Sequence, residues 1–323
     1  MRITNNTGIS LSMAVWLAHN EYSPGVNPNP NTEMISATTL LKPSRQFILG
    51  QRIPKEHQVM DVTEVVASRF GHAMHSSVEN AWTVGYVEAM KQLGYPEKVI
   101  QSVRINPDVV EEGDFPVYLE QRGYNLFDGI TITGQLDQII NGELNDTKTT
   151  SVYTYLYGTK LDDYQKQMSI YRWLFPDKVT SEIAKIQHVF TDWQRSGMAQ
   201  NPDYPQSRVV EVPIELLSIK DTEDFIRGRL QEIRNNVTKK EADVIHCTEK
   251  ELWMSPPVFK YYTDPEKAKL GGRATKNFDN LAEANQHLAN RSKGVVITVQ
   301  SEPKACGYCP VFEICTQKDL YFT

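Results

Sequence analysis

A chain of 323 residues with 40% hydrophobic and 23% charged residues can bury one large core, or a core plus a sizeable appendage. Its net charge of −6 argues against a broad basic surface for nucleic acid but leaves room for a local basic groove. No run of 18 or more apolar residues offers a membrane span, and MRITNNTGIS lacks a charged segment followed by a long apolar stretch, so no secretory signal is expected.

In chain order, residues 22–33 (YSPGVNPNPNTE) read as a Pro-, Asn- and Gly-rich loop, and ISATTLLKPSRQFIL as a short ordered segment. Asp61 with Glu64 three residues later forms a capping box. It opens a helix to about residue 92, with Val62, Val65, Val66, Phe70, Ala73 and Met74 on one apolar face. Residues 115–150 are β-rich, and DDYQKQMSIYRWLF (162–175) is helical. AKIQHVFTDW and RVVEVPIEL alternate as strands, and residues 221–240 form a polar helix. The tail holds a Gly271-Gly272 turn, a helix near 280–290 and a strand, GVVITVQ. There is no internal repeat, no low-complexity block and no G-x-x-x-x-G-K-[ST] phosphate loop.

The stretch GQLDQIINGELNDTKTT (134–150) carries the chemistry. Asn141-Gly142 between strand-like runs predicts a two-residue type I′ turn. That register pairs Ile140 with Glu143, Ile139 with Leu144 and Gln138 with Asn145, and it sets Asp137 opposite Asp146. Lys148 then shares the face of Asp146, Glu143 takes the other face, and Ile130, Ile132 and Leu136 point to the core. Opposed carboxylates repel, and a hard divalent cation would offset the repulsion; a solvated hairpin with screened aspartates is the alternative.

Other candidates are weaker singly. His75 and Glu79 lie one helical turn apart, and an imidazole can complete a metal site, although a lone helical histidine is more often packed or on the surface. Tyr153, Tyr155 and Tyr157 alternate on a strand-like face that either stacks on unpaired bases or is half-buried sheet. Lys148, Lys160, Lys166 and Arg172 are the cations placed to meet phosphates. Cys306, Cys309 and Cys315 form C-x2-C-x5-C, with Cys247 upstream. Four thiolates suit a [4Fe–4S] cluster or an all-cysteine zinc site, and disulfides are not expected in a chain without an export signal.

Taken together, Gly71 and His75 on a helix, Gly134 to Asp137 at a strand end, Asp146-Thr147-Lys148 across a hairpin, and Gln167 with Tyr171 on a later helix resemble the PD-(D/E)XK nuclease superfamily. More narrowly they resemble its RecB-type branch, which includes the AddB, CRISPR-adaptation and phage exonucleases. The resemblance covers about residues 35–175 and the cysteine tail. It implies an α/β fold: an N-terminal arm (1–34), a restriction-endonuclease-like core with a mixed central sheet flanked by helices (35–245), and a C-terminal cysteine-cluster segment packed on that core (246–323).

The resemblance also implies roles. Asp137 and Asp146 would hold Mg²⁺ or Mn²⁺, with His75 and the Thr147 carbonyl as further ligands. Lys148 would orient or deprotonate the attacking water and stabilise charge on the scissile phosphate. Gln167 and Tyr171 would support the site or touch the DNA backbone, or else brace the helix against the sheet. Glu79 is more simply a solvated glutamate. Members with an iron–sulfur cluster end in a similar cysteine spacing, with the fourth cysteine ahead of the nuclease core. No cysteine precedes Cys247 here, so Cys247 is the expected fourth ligand of a [4Fe–4S] cluster, with zinc the alternative metal. The implied activity is a metal-dependent deoxyribonuclease, an exonuclease on single-stranded DNA or DNA ends in recombination, repair or replication. The alternative is a non-catalytic DNA-binding or assembly module with a structural zinc or iron–sulfur site. Any helicase or recombination partner would be a separate chain, and phage-encoded relatives suggest the cytoplasm of a bacterial host.

Overall fold

The Asn141-Gly142 turn lies in the main sheet with both residues at positive φ, 48° and 86°, as a type I′ turn requires. The computed structural model describes residues 2–20, 23–54 and 58–322; Tyr22, where the expected loop begins, lies outside the described residues. The chain divides into two units: Met1–Lys42 with Pro54–Gln231, and Pro43–Ile53 with Glu232–Thr323.

The first unit begins with β1 (Arg2–Thr4), α1 (Leu11–Ala18), β2 (Glu33–Ser36) and α2 (Ala37–Leu40), whereas α3 (Ser44–Arg52) belongs to the second. Residues 23–32 carry no helix or strand, as expected of a loop. β3 (Val59–Asp61) pairs in parallel with β1 and ends on the predicted capping box. There the Asp61 Oδ1 accepts the Thr63 N–H at 3.1 Å, and the Asp61 N–H donates to Glu64 at 2.8 Å. A 3₁₀ turn (Val62–Val65) leads into α4 (Val66–Asn80).

The helix runs on to Gln92 as expected, but not as one regular α-helix. A π-helical segment, Ala81–Gly85, separates α4 from α5 (Tyr86–Gln92), and the Thr83 hydroxyl donates to the Glu79 carbonyl at 2.9 Å. The expected apolar face holds at Val62 and Val65 but fails at Val66, Phe70 and Ala73, which are exposed. The half-buried side of α4 is instead Gly71, Met74, His75, Val78 and Glu79, so the histidine side faces the protein.

The chain then runs through α6 (Glu97–Ser102), β4 (Val103–Ile105), β5 (Phe115–Leu119), β6 (Arg122–Phe127), β7 (Ile130–Gln135), β8 (Gln138–Ile140) and β9 (Glu143–Thr150). It continues with α7 (Val152–Tyr157), α8 (Leu161–Leu174), β10 (Ile183–Phe190), α9 (Arg195–Gln200), β11 (Val209–Glu215) and α10 (Ile219–Asn236). The main sheet has the order β11-β10-β9-β8-β5-β4, and a smaller one the order β2-β7-β6. The main sheet is mixed: β9–β10 and β4–β5 are parallel and its other pairs antiparallel. α4 lies against β9, and α8 against β6, β7 and β11. This is the expected α/β class, a mixed central sheet flanked by helices. Val117, Ile139, Leu144, Met168, Ile170 and Ile186 are fully buried, and they come from β5, β8, β9, α8 and β10.

Two expectations need correction. Residues 130–140 are not one strand, because β7 belongs to the small sheet and β8 to the main one. The β8–β9 ladder has the predicted three pairs but stops at Gln138↔Asn145, so Asp137 is not a ladder partner of Asp146. The Asp137 carbonyl accepts the Glu120 N–H (2.9 Å) and its carboxylate the Thr147 N–H (2.9 Å). Second, Tyr153, Tyr155 and Tyr157 lie on helix α7 rather than on a strand. Tyr153 and Tyr157 are exposed i, i+4 neighbours with rings 4.5 Å apart, while Tyr155 packs on His188 and Phe190.

The second unit holds β12 (Val258–Tyr262), α11 (Pro265–Lys269), β13 (Lys276–Phe278), α12 (Leu281–Arg291) and β14 (Val295–Val299). Its sheet has the order β13-β12-β14, and Tyr261, Phe278 and Ala284 form a core between sheet and helix. Asn280 caps α12 by accepting the Ala282 N–H at 2.7 Å. Three short 3₁₀ turns, Lys304–Tyr308, Phe312–Ile314 and Thr316–Leu320, carry the cysteine tail.

Candidate metal centre

The strand break at Leu136-Asp137 lets Asp137 leave the ladder and turn its carboxylate toward α4. His75 Nδ1 lies 3.3 Å from Asp137 Oδ1 and 3.9 Å from Glu120 Oε1, and its Nε2 lies 3.0 Å from the Thr147 carbonyl. One ligand atom each from His75, Glu120 and Asp137 falls within 4.8 Å of the others. Val78, Glu79, Leu119, Gln138 and Thr147 complete the small recess around them. An imidazole, two carboxylates and a backbone carbonyl are a donor set suited to a divalent cation.

Without a cation, a proton does part of the neutralising. Burial pushes His75 down, but its hydrogen bond to Asp137, the charges of Asp137 and Asp146, and the Thr147 carbonyl raise its pKa to about 9. Burial, then the Asp137 charge, pushes Glu120 up to about 7.

Glu120 does not figure in the sequence-derived site. It follows β5 in the left-handed region, at φ 49°, where a non-glycine residue is strained. Gln135 donates to its carboxylate at 2.8 Å. A glutamate in LEQRG matches no motif, and its partner Asp137 is reached only through a change of sheet that hydrophobic alternation does not reveal.

Asp146 and Lys148 form a second, deeper part of the site. Asp146 is 2% exposed at its side chain, and its Oδ2 lies 2.6 Å from Lys148 Nζ. That approach is an ion pair without hydrogen-bond geometry, for the oxygen has no hydrogen-bond partner. Burial, followed by the Asp137 charge, raises the Asp146 pKa. Burial pushes the Lys148 pKa down, but the charges of Asp146 and Asp137 outweigh it and hold the ammonium above the usual lysine range. Lys148 also donates to Gln167 (3.3 Å), Gln167 donates to the Tyr171 hydroxyl (2.8 Å), and the Tyr164 ring lies 5.6 Å from the ammonium. The glycine of GQLD makes room for this arrangement: a Cβ on Gly134 would lie 2.7 Å from the Tyr171 ring. Gln167 and Tyr171 are buried, so they hold Lys148 from beneath and present no surface.

The remaining candidates are placed as follows. Glu143 pairs with Lys185 at 2.8 Å, away from Asp146. Lys160 and Lys166 pair with Asp163 (3.4 Å) and Asp162 (2.9 Å), and Arg172 donates to the Leu217 carbonyl. In the second unit Cys247, Cys306, Cys309 and Cys315 are half-buried and outside any disulfide. Burial pushes Cys247 up to about 12, with Glu251, Cys315 and Cys309 adding to the shift. Gln317 ties Cys247 to the tail: its side chain accepts the Cys247 N–H (2.8 Å) and donates to the Cys247 carbonyl (2.9 Å).

No family model and no curated protein matches the sequence. Among solved structures, SSO0001 is 15% identical at a TM-score of 0.38, with 68% of this chain and 81% of that chain covered. A phage-related exonuclease from Haemophilus somnus 129PT is 15% identical at a TM-score of 0.28, covering 63% and 92%. Likeness at this level leaves the assignment to the side chains. Among the described residues no helix is long and apolar enough to cross a membrane.

Proposed function

We propose that the chain is a Mg²⁺- or Mn²⁺-dependent deoxyribonuclease acting on single-stranded DNA or DNA ends. One observation carries the reading: His75, Glu120 and Asp137 gather three ligand atoms within 4.8 Å, and the buried Asp146–Lys148 pair adjoins them through the shared residue Thr147. His75, Glu120, Asp137 and the Thr147 carbonyl would hold the cation, with Asp146 as the next carboxylate inward. A bound cation would lower the pKa of a coordinated water and offset charge on the phosphate.

The chain's own groups do the rest. To ligate a cation, His75 would have to give up the proton that its carboxylate neighbours hold on it. Lys148, held protonated by Asp146 and fixed by Gln167, stabilises negative charge on a phosphate oxygen rather than removing a proton. Tyr171 and Gln167 are positioning residues for that ammonium.

The cysteine tail is proposed to hold a [4Fe–4S] cluster with a structural role. The four thiols influence one another's charge, and four thiolates are the donor set that such a cluster, or alternatively zinc, requires.

End-labelled single- and double-stranded DNA, incubated with protein prepared without oxygen, tests the activity. Cleavage that appears with Mg²⁺ or Mn²⁺ and disappears with a chelator supports the proposal. Clean protein that leaves both substrates intact in either metal refutes it.

A further inference from the structure

Arg45, on α3, is 1% exposed and plays no part in the nuclease reading. A guanidinium keeps its charge, so burying one is costly unless anions and acceptors surround it. Each nitrogen has a partner. Nε donates to Cys315 Sγ at 3.1 Å, Nη1 to the Val244 carbonyl at 2.7 Å, and Nη2 to the Glu241 carboxylate, with Thr316 Oγ1 at 3.4 Å. Glu241 in turn accepts the Thr316 N–H (2.9 Å) and hydroxyl (2.8 Å), fixing the residue after Cys315. α3 interrupts the first unit in sequence, between Lys42 and Pro54, but belongs to the cysteine-bearing unit. Its arginine is thus spent on one sulfur and on the chain beside it.

We infer that Arg45 is a positioning residue for the cysteine centre: its Nε–H fixes the Cys315 sulfur, and its charge stabilises a net-negative, thiolate-bound cluster there. The inference rests on the iron–sulfur reading above. Hydrogen bonds and positive charge at cluster sulfurs favour the more negative, reduced state, so they raise the reduction potential. Glu241 works against this by neutralising the same guanidinium. The two residues should therefore shift the potential in opposite directions.

The test uses full-length protein purified without oxygen. Iron and sulfide per chain, visible absorbance and the midpoint of a dithionite titration against redox dyes are compared in wild type, Arg45→Lys and Glu241→Gln. Arg45→Lys keeps a charge but loses the planar Nε donor. It is expected to lose its cluster in air roughly tenfold faster, the scale of one charge-assisted bond, and to show a lower potential. Glu241→Gln is expected to show a higher potential. A purely structural role would speed cluster loss in both variants and leave the potentials of the intact clusters alike; that result overturns the inference. If Arg45→Lys fails to fold, Glu241→Gln decides, and an unshifted potential there counts against the inference. A wild-type protein with no iron at all would sink the iron–sulfur reading and this inference together. A wild-type cluster that ignores both substitutions sinks this inference alone.

Discussion

Replacing Glu120 by glutamine is the sharpest test of the ligand set, because this residue entered through geometry and not through any motif. The change keeps shape and hydrogen-bonding capacity but removes one of the two carboxylates within 4.8 Å of the His75 nitrogen. At an effective dielectric of about 20, a unit charge pair some 4 Å apart interacts by roughly 4 kcal/mol. Glu120 is 24% exposed at its side chain, and its charge must be desolvated to bind, so about half of that or less should survive. That corresponds to about 10- to 30-fold weaker metal binding. The assay is cleavage rate against Mn²⁺ concentration. Glu120→Gln should raise the half-saturating concentration by that factor and approach the wild-type rate at high metal. An unchanged half-saturation would remove Glu120 from the ligand set. Activity that excess metal cannot restore would place Glu120 in the chemistry instead.

Three further outcomes are expected. Lys148→Met should lower the cleavage rate about 100- to 1000-fold with metal affinity kept, the scale of losing one preorganised positive donor; metal binding by calorimetry and single-turnover rates separate the two effects. Metal-free protein should lose stability as pH rises: His75 has its folded pKa raised from 6.5 to about 9, so its contribution is complete below pH 6.5 and gone above about 9. Melting curves of wild type and His75→Gln should converge across that window, and the apparent Mn²⁺ affinity of wild type should rise over it, since cation and proton compete for one imidazole. Gly134→Ala should cost about 1–3 kcal/mol in denaturant melts and lower activity, because the new Cβ meets the Tyr171 ring and displaces the support of Lys148.

The parts of the site that were legible in the sequence are those fixed by local rules. The Asn141-Gly142 turn demands positive φ at both residues, and that alone set the three ladder pairs found. The capping box at Asp61 and the period-two face shared by Asp146 and Lys148 are equally local. The rest depended on long-range geometry. The passage of residues 130–140 from one sheet to another carries no signature, since buried Ile132, Leu136 and Ile139 suit either sheet. It is nevertheless what swings Asp137 toward His75 and brings Glu120 beside it. The tyrosine run fits period two and a short helix equally well, because the two are indistinguishable over five residues. The helical reading leaves Tyr153 and Tyr157 as an exposed pair and Tyr155 as packing. Arg45 was invisible for the same reason, its partner Cys315 lying at the far end of the chain.

His75, Glu120, Asp137 and the Thr147 carbonyl are proposed to bind one divalent cation beside Asp146 and Lys148. Crystals grown with Mn²⁺ and measured at the manganese absorption edge test it most directly. The expected result is a single strong anomalous peak bounded by those four groups, absent in His75→Ala crystals. A map with no peak there, or with manganese only at unrelated carboxylates, would contradict it.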